Sequence, residues 1–288
     1  MPLDQDTSNS PLFNVQAPKK LGMIHGWQWV NEGFRYFTYS KLNWLSSIFV
    51  FVITVLFLIN YIPIIQVFLI VLLPLITAGL GLACYEIERG NQMNASFLIK
   101  GFMHPHNIKL LRYGLWLILL MIIAQMIGST ILISMGVSQE SIASELQRLG
   151  NTDNASFQSI MASPVLLKYF VVSMIMMIPI MGLNLLAPYL LVFSQLSALE
   201  SIKFCFAAFI KNIAAIFLYA LIYVCLIAAL LFVLKLLSGI LDGLFAQESF
   251  VSSWIELVAT LLGSLFIASL SYCSAYVAYK DIFLGEEI

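Results

Sequence analysis

The chain has 288 residues, 61% of them hydrophobic and 10% charged, with a formal net charge of −1. A soluble domain carries roughly 25% charge, and at a mean hydropathy of +0.94 too few polar groups remain to cover a soluble surface. That leaves an integral membrane protein, and the near-zero net charge gives no electrostatic basis for binding nucleic acid.

Residues 1–20, "MPLDQDTSNSPLFNVQAPKK", are polar and hold three prolines, which predicts a flexible tail before a single membrane domain over 21–288. The first long apolar run starts near Leu42, too deep for a secretory leader, and is expected to act as an uncleaved anchor.

"GWQWVNEGFRYFTYSKLNW" (26–44) follows the tail and holds three Trp, two Phe and two Tyr among Gln, Asn, Glu, Arg and Lys. Read as a helix over 27–39, Trp27, Val30, Phe34 and Phe37 fall at i, i+3, i+7 and i+10 and form one apolar stripe. Gln28, Asn31, Glu32 and Arg35 lie opposite, with Trp29, Tyr36 and Tyr39 at the borders. The pattern predicts an amphipathic helix in the headgroup region, and Trp44 marks entry into the first span.

Six segments are long and apolar enough to cross the hydrocarbon: roughly 42–60, 62–84, 109–135, 165–193, 212–238 and 252–279. "NYIP" (60–63) makes the first two a tight hairpin, with Pro63 tolerated at a helix start. With six crossings, both termini and the 2–3 and 4–5 loops share one side. Eleven of the 14 Lys and Arg fall there, and only Arg148, Lys168 and Lys235 fall on the other. This bias predicts cytoplasmic termini.

The interfacial device recurs. "NASFLIKGFMHPHNIK" (94–109), with Phe102, precedes the third span. "SALESIKFCFAAFIK" (197–211), with Phe206 and Phe209, precedes the fifth. Ser197 and Glu200 make a capping box at the start of the latter. Gly33-Phe34 leads to Lys41 and Gly101-Phe102 to Lys109, each eight residues from glycine to lysine; Ala208-Phe209 reaches Lys211 sooner. The expected fold is therefore all-α: three units, about 25–92, 93–196 and 197–288, each an interfacial helix followed by a two-span hairpin. An extracytoplasmic insertion over 136–163 should hold a surface helix near 139–149, where Ile142, Leu146 and Leu149 share a face, then a turn at "GNTDN" (150–154).

Candidate chemistry is sparse. Cys84, Cys205, Cys225 and Cys273 have no CxxC spacing and read as buried small hydrophobes. His104 and His106 in "MHPHN" invite a metal with Glu86 and Glu88, but the spacing fits no standard ligand set, and no metal or cofactor is expected. The carboxylates of "YEIER" and "YKDIF" should face water or pair with nearby cations. Gln125 and Asn184 are the candidates for a polar pocket between spans, with interhelical hydrogen bonding the simpler account of Asn184, and Asn184, beside Gly182 and ahead of Pro188, marks a candidate break in the fourth span. No G-x-S-x-G, H-E-x-x-H or P-loop motif occurs.

"GWQWVNEGFRYF" (26–37) and "YVAYKDIF" (276–283) resemble the terminal motifs, G-W-x-W…G-F and Y-x-x-Y-x-D-I-F, of a family of uncharacterised bacterial inner-membrane proteins. More distantly, the hairpin repeats are similar to the membrane domains of some glycerophosphodiester phosphodiesterases, without their catalytic domain. The closer resemblance implies a multi-span protein of the bacterial inner membrane with no established activity. The expected role is a non-catalytic scaffold, assembly partner or envelope-maintenance factor in contact with membrane lipids and a membrane-protein partner. The alternative is a carrier or channel for lipid or another weakly polar solute.

Overall fold

The computed structural model describes residues 15–62, 65–150, 162–244 and 250–285. All regular structure among them is helical: α1 His25–Tyr39, α2 Lys41–Tyr61, α3 Ile65–Glu88, α4 Phe97–Met103, α5 Asn107–Ser134, α6 Gln139–Gly150, α7 Pro164–Phe193, α8 Ala198–Lys211, α9 Ile213–Leu244 and α10 Phe250–Phe283. Helices α2, α3, α5, α7, α9 and α10 are each long and apolar enough to cross a membrane, so the chain is a multi-pass membrane protein. Their ends fall within a few residues of the expected spans. Pro63 and the expected turn after Gly150 lie outside the described residues.

Local rules account for several boundaries. Ser163 caps α7 by accepting the Leu166 N–H at 3.5 Å, with Pro164 in the first turn where its missing N–H costs nothing. At α8 the capping box forms: Ser197 Oγ accepts the Glu200 N–H at 3.4 Å, and Glu200 Oε2 accepts the Ser197 N–H at 2.8 Å. The candidate break near Asn184 does not occur. Helix α7 runs unbroken through Pro179 and Pro188, as expected where lipid offers no partner for a backbone released from the helix.

Helices α3, α7 and α10 pack against one another and form the centre of the bundle. Each short helix lies on one of them: α4 on α3, α8 on α7 and α1 on α10. Contact is close because small residues face the neighbour. A Cβ on Gly33 would sit 2.7 Å from the Ser274 backbone, and one on Gly182 2.5 Å from the Phe209 ring. A Cβ on Gly101 would strike the Leu75 carbonyl. Ala208, in the place that glycine takes in α1 and α4, is fully buried.

The core is concentrated at one end of the bundle, where α3, α7 and α10 finish. Tyr189, Phe193, Tyr276, Tyr279 and Phe283 are buried there with ring centroids about 6 Å apart, the Phe193–Tyr279 pair stacked at 5.7 Å. Toward the other end the spans turn large apolar side chains outward, among them Met126, Ile133, Leu231 and Phe232. Helix α6 sits at that far end against α7. Its Leu149 is buried and Leu146 exposed, so the expected surface helix forms but only part of its apolar face is covered.

The tail boundary is corrected. Residues 15–20 are tied down: Phe283 O accepts the Gln16 N–H and Ile282 O the Lys19 N–H, both at 3.0 Å, so the segment closes the end of α10. The carbonyls of a last helical turn have no partner within the helix, and this strap supplies donors for two of them.

Candidate functional site

The polar end of the bundle brings the two terminal motifs together. Trp29 of α1 is buried, and its indole N–H donates to Asp281 Oδ2 at 2.7 Å. His25, one turn earlier, places Nδ1 2.7 Å from the same oxygen; because a carboxylate can only accept, Nδ1 carries the proton. Asp281 is itself buried, so both donors offset the cost of keeping a carboxylate out of water.

A second carboxylate joins three helices. Glu88, at the end of α3, accepts from Lys280 Nζ at 2.6 Å and from the Tyr276 hydroxyl at 3.0 Å, both of α10, and from the Tyr36 hydroxyl of α1. Burial and the neighbouring Glu88 charge push the Tyr36 phenol well above the ordinary tyrosine range, so it remains a donor. A third tie is Asn212, at the α8–α9 junction. Its Oδ1 accepts the Leu21 N–H at 2.8 Å, and its Nδ2 donates to Lys19 O at 2.9 Å and Ala208 O at 3.0 Å.

Sequence reasoning missed the ties through Asp281 and Asn212. From sequence the "YKDIF" carboxylate should face water or pair with a nearby Lys or Arg, and the structure instead buries it against His25 and Trp29. Pairing the Trp29 indole with residue 281 required a contact across 252 positions, which no local pattern records.

The aromatic residues expected at the lipid boundary divide. Trp27 and Phe34 are 53% and 45% exposed and Phe206 is 40% exposed. Phe102 and Phe209 are half-buried. Trp29 and Trp44 are fully buried in protein, which corrects their assignment to the lipid-facing boundary. Gly26 and Gly33 draw α1 so close to α9 and α10 that its buried face centres on Gly26, Trp29, Val30, Gly33 and Phe37, rotated from the stripe through Trp27 and Phe34.

The polar-pocket pair also separates. A cleft of about 430 Å3 lies between α3, α5, α7 and α10, with Asn184 on its wall beside Thr77, Met121, Tyr189 and Tyr272. The Tyr113 hydroxyl donates to Asn184 Oδ1 at a long 3.4 Å. Gln125 is exposed and does not line this cleft, one turn past Met121 on α5.

His104 and His106 face each other with ring centroids 5.2 Å apart. Burial, then the neighbouring His106 and Lys109, lowers the His104 pKa to about 4. His106 Nδ1 lies 3.1 Å from the Leu191 carbonyl, and Glu88 is held by Tyr36, Tyr276 and Lys280. Among the described residues no three His, Cys, Asp or Glu side chains gather to hold a metal. Cys84, Cys205 and Cys273 are buried, whereas Cys225 is exposed on α9, and all four are free thiols.

Comparison of the chain with protein-family models, with curated proteins and with solved structures finds no match.

Proposed function

We propose that the chain is a non-catalytic integral protein of the bacterial cytoplasmic membrane, with both termini in the cytoplasm, that serves as a scaffold, assembly partner or envelope-maintenance factor. The observation that carries this reading is how the polar groups at one end of the bundle are used. Asp281, Glu88 and Asn212 join the N-terminal strap and α1 to the ends of α3 and α10 and the start of α9. This makes a rigid, cross-braced platform at the end rich in basic residues, while the spans present apolar side chains to their surroundings. The basic bias supports a cytoplasmic position for that end.

Three parallel units build the platform in this reading. Each short helix packs on the second span of the unit before it in cyclic order, α1 on α10, α4 on α3 and α8 on α7, with close approach at Gly33, at Gly101 and, for α8, at Gly182 of α7 against the Phe209 ring. Trp27, Phe34 and Phe206 then face the headgroup region as amphipathic anchors. Purification from native membranes in mild detergent, after cross-linking, should recover a stoichiometric protein partner. Recovery of the chain alone under conditions that preserve known membrane complexes would remove the scaffold reading.

The cleft beside Asn184 favours a second reading, a carrier for lipid or another weakly polar solute. Its walls are apolar and Asn184 supplies one amide, which suits an amphiphile with few polar groups. Vesicles holding the protein should move such a solute faster than empty vesicles, and Asn184→Leu should slow them. Equal rates for the variant would exclude this cleft as the route.

A further inference from the structure

The face of α5 away from the Asn184 cleft carries a separate feature. Arg112, Leu115, Trp116 and Leu119 recur at i, i+3, i+4 and i+7 and therefore share one helix face. With Ser197, Ala198 and Leu199 at the start of α8 they line a cleft of about 380 Å3. The stripe is polar at one end only. Arg112 stands five residues into α5, near the end of the bundle where the basic residues gather, and Leu119 lies about 10 Å deeper along the helix.

Arg112 is exposed and has no carboxylate partner among the described residues. Lys109, one turn earlier, donates to the Gln195 carbonyl at 3.1 Å, which places a second cation on the same side as the α8 wall. Glu200 is the nearby carboxylate. It already accepts the Ser197 N–H in the capping box and interacts with Lys109 and Lys203. Three cations against one carboxylate leave this corner positive. Leu115, Leu119 and Leu199 are each more than 40% exposed, and Trp116 36%. Charge at the top, Leu115 and Trp116 about one turn below it and Leu119 a turn deeper follow the vertical order of a phospholipid itself: anionic phosphate, glycerol region, acyl chain.

We propose that this cleft binds one anionic glycerophospholipid, with its phosphate on Arg112 and an acyl chain running past Trp116 toward Leu119. Arg112 presents a planar fork of donors that matches phosphate oxygens better than an ammonium does. Lys109 adds attraction without direct contact. The site is independent of the scaffold reading, because it requires only that α5 spans the membrane.

The test uses the full-length protein in nanodiscs of phosphatidylcholine doped with phosphatidylglycerol whose acyl chains are dibrominated. Bromine quenches indole fluorescence at contact range, and the chain has five Trp. The quenchable fraction assigned to Trp116 is the difference between wild type and Trp116→Phe. That fraction should saturate at about one lipid per protein with dibrominated phosphatidylglycerol. It should need about fivefold more lipid in Arg112→Gln, the contribution of one cation near an anionic headgroup. Arg112→Lys should restore part of the affinity, and Arg148→Gln, on α6, should change nothing. Equal quenching by dibrominated phosphatidylcholine, or an Arg112→Gln curve that overlays wild type, would overturn the proposal. If Arg112→Gln is not monodisperse, the wild-type and Trp116→Phe comparison of the two lipids decides it alone.

Discussion

Truncating Asp281 to Ala probes the junction between the two terminal motifs. Asp281 Oδ2 accepts from Trp29 Nε1 and His25 Nδ1, both at 2.7 Å. Removing it strands the indole N–H, on a residue with no exposure, without a partner. An orphaned buried donor costs about 1–3 kcal/mol, and hydrogen bonds to a charged group contribute about 1.5–3 kcal/mol. Relief of carboxylate desolvation offsets part of the loss, so Asp281→Ala should cost about 2 kcal/mol. His25 is about 30% exposed through its side chain and can turn to water, so it adds little. Trp29→Phe removes the donor and some core volume, with His25 still serving the carboxylate, for about 1–2 kcal/mol. Independent sites would give about 3–4 kcal/mol in the double variant. Here the double variant has no orphaned indole and should cost about 2 kcal/mol, a coupling of at least about 1 kcal/mol. Equilibrium unfolding in mixed micelles, followed by near-ultraviolet circular dichroism, measures all four proteins. Additivity within about 0.5 kcal/mol, or an Asp281→Ala variant as stable as wild type, would refute the reasoning.

Gly101→Leu should lift α4 from α3, because even a methyl group there overlaps the Leu75 carbonyl; we expect a loss of about 1–3 kcal/mol and a longer spin-label distance between the two helices. Asn212→Leu strands the Leu21 N–H and the Lys19 carbonyl. Hydrogen exchange over residues 15–24 should then rise to that of an open segment, and unchanged protection would show that the strap is held by other contacts. His104 has its pKa lowered by burial to about 4, below the 6.5 of an unfolded histidine. The unfolded chain therefore binds the proton first: stability is full above about pH 6.5 and declines as pH falls toward 4. His104→Gln should flatten that part of the pH–stability curve, and an unchanged slope would place the titration elsewhere.

The spans were legible from composition and length, because a run of some 20 apolar residues has one stable environment and a helix is the one conformation that satisfies its own backbone there. The capping box at Ser197 and Glu200 was legible for the same reason of locality: both partners lie within one turn. The faces of α1 were not. Trp27 and Trp29 are alike in sequence, yet one faces outward and the other is buried, because Gly26 and Gly33 admit α9 and α10 on that side.

Sequence alone therefore determined a helical, multi-crossing protein and the places where its long helices start and stop, since those depend on solvent and near neighbours. Only the tertiary structure decided that Asp281 is buried under Trp29, that Asn184 lines a cleft while Gln125 does not, and that Arg112 heads an apolar cleft. Each of these depends on which helix comes to lie alongside which, and periodicity within one helix carries no record of the partner that will cover it.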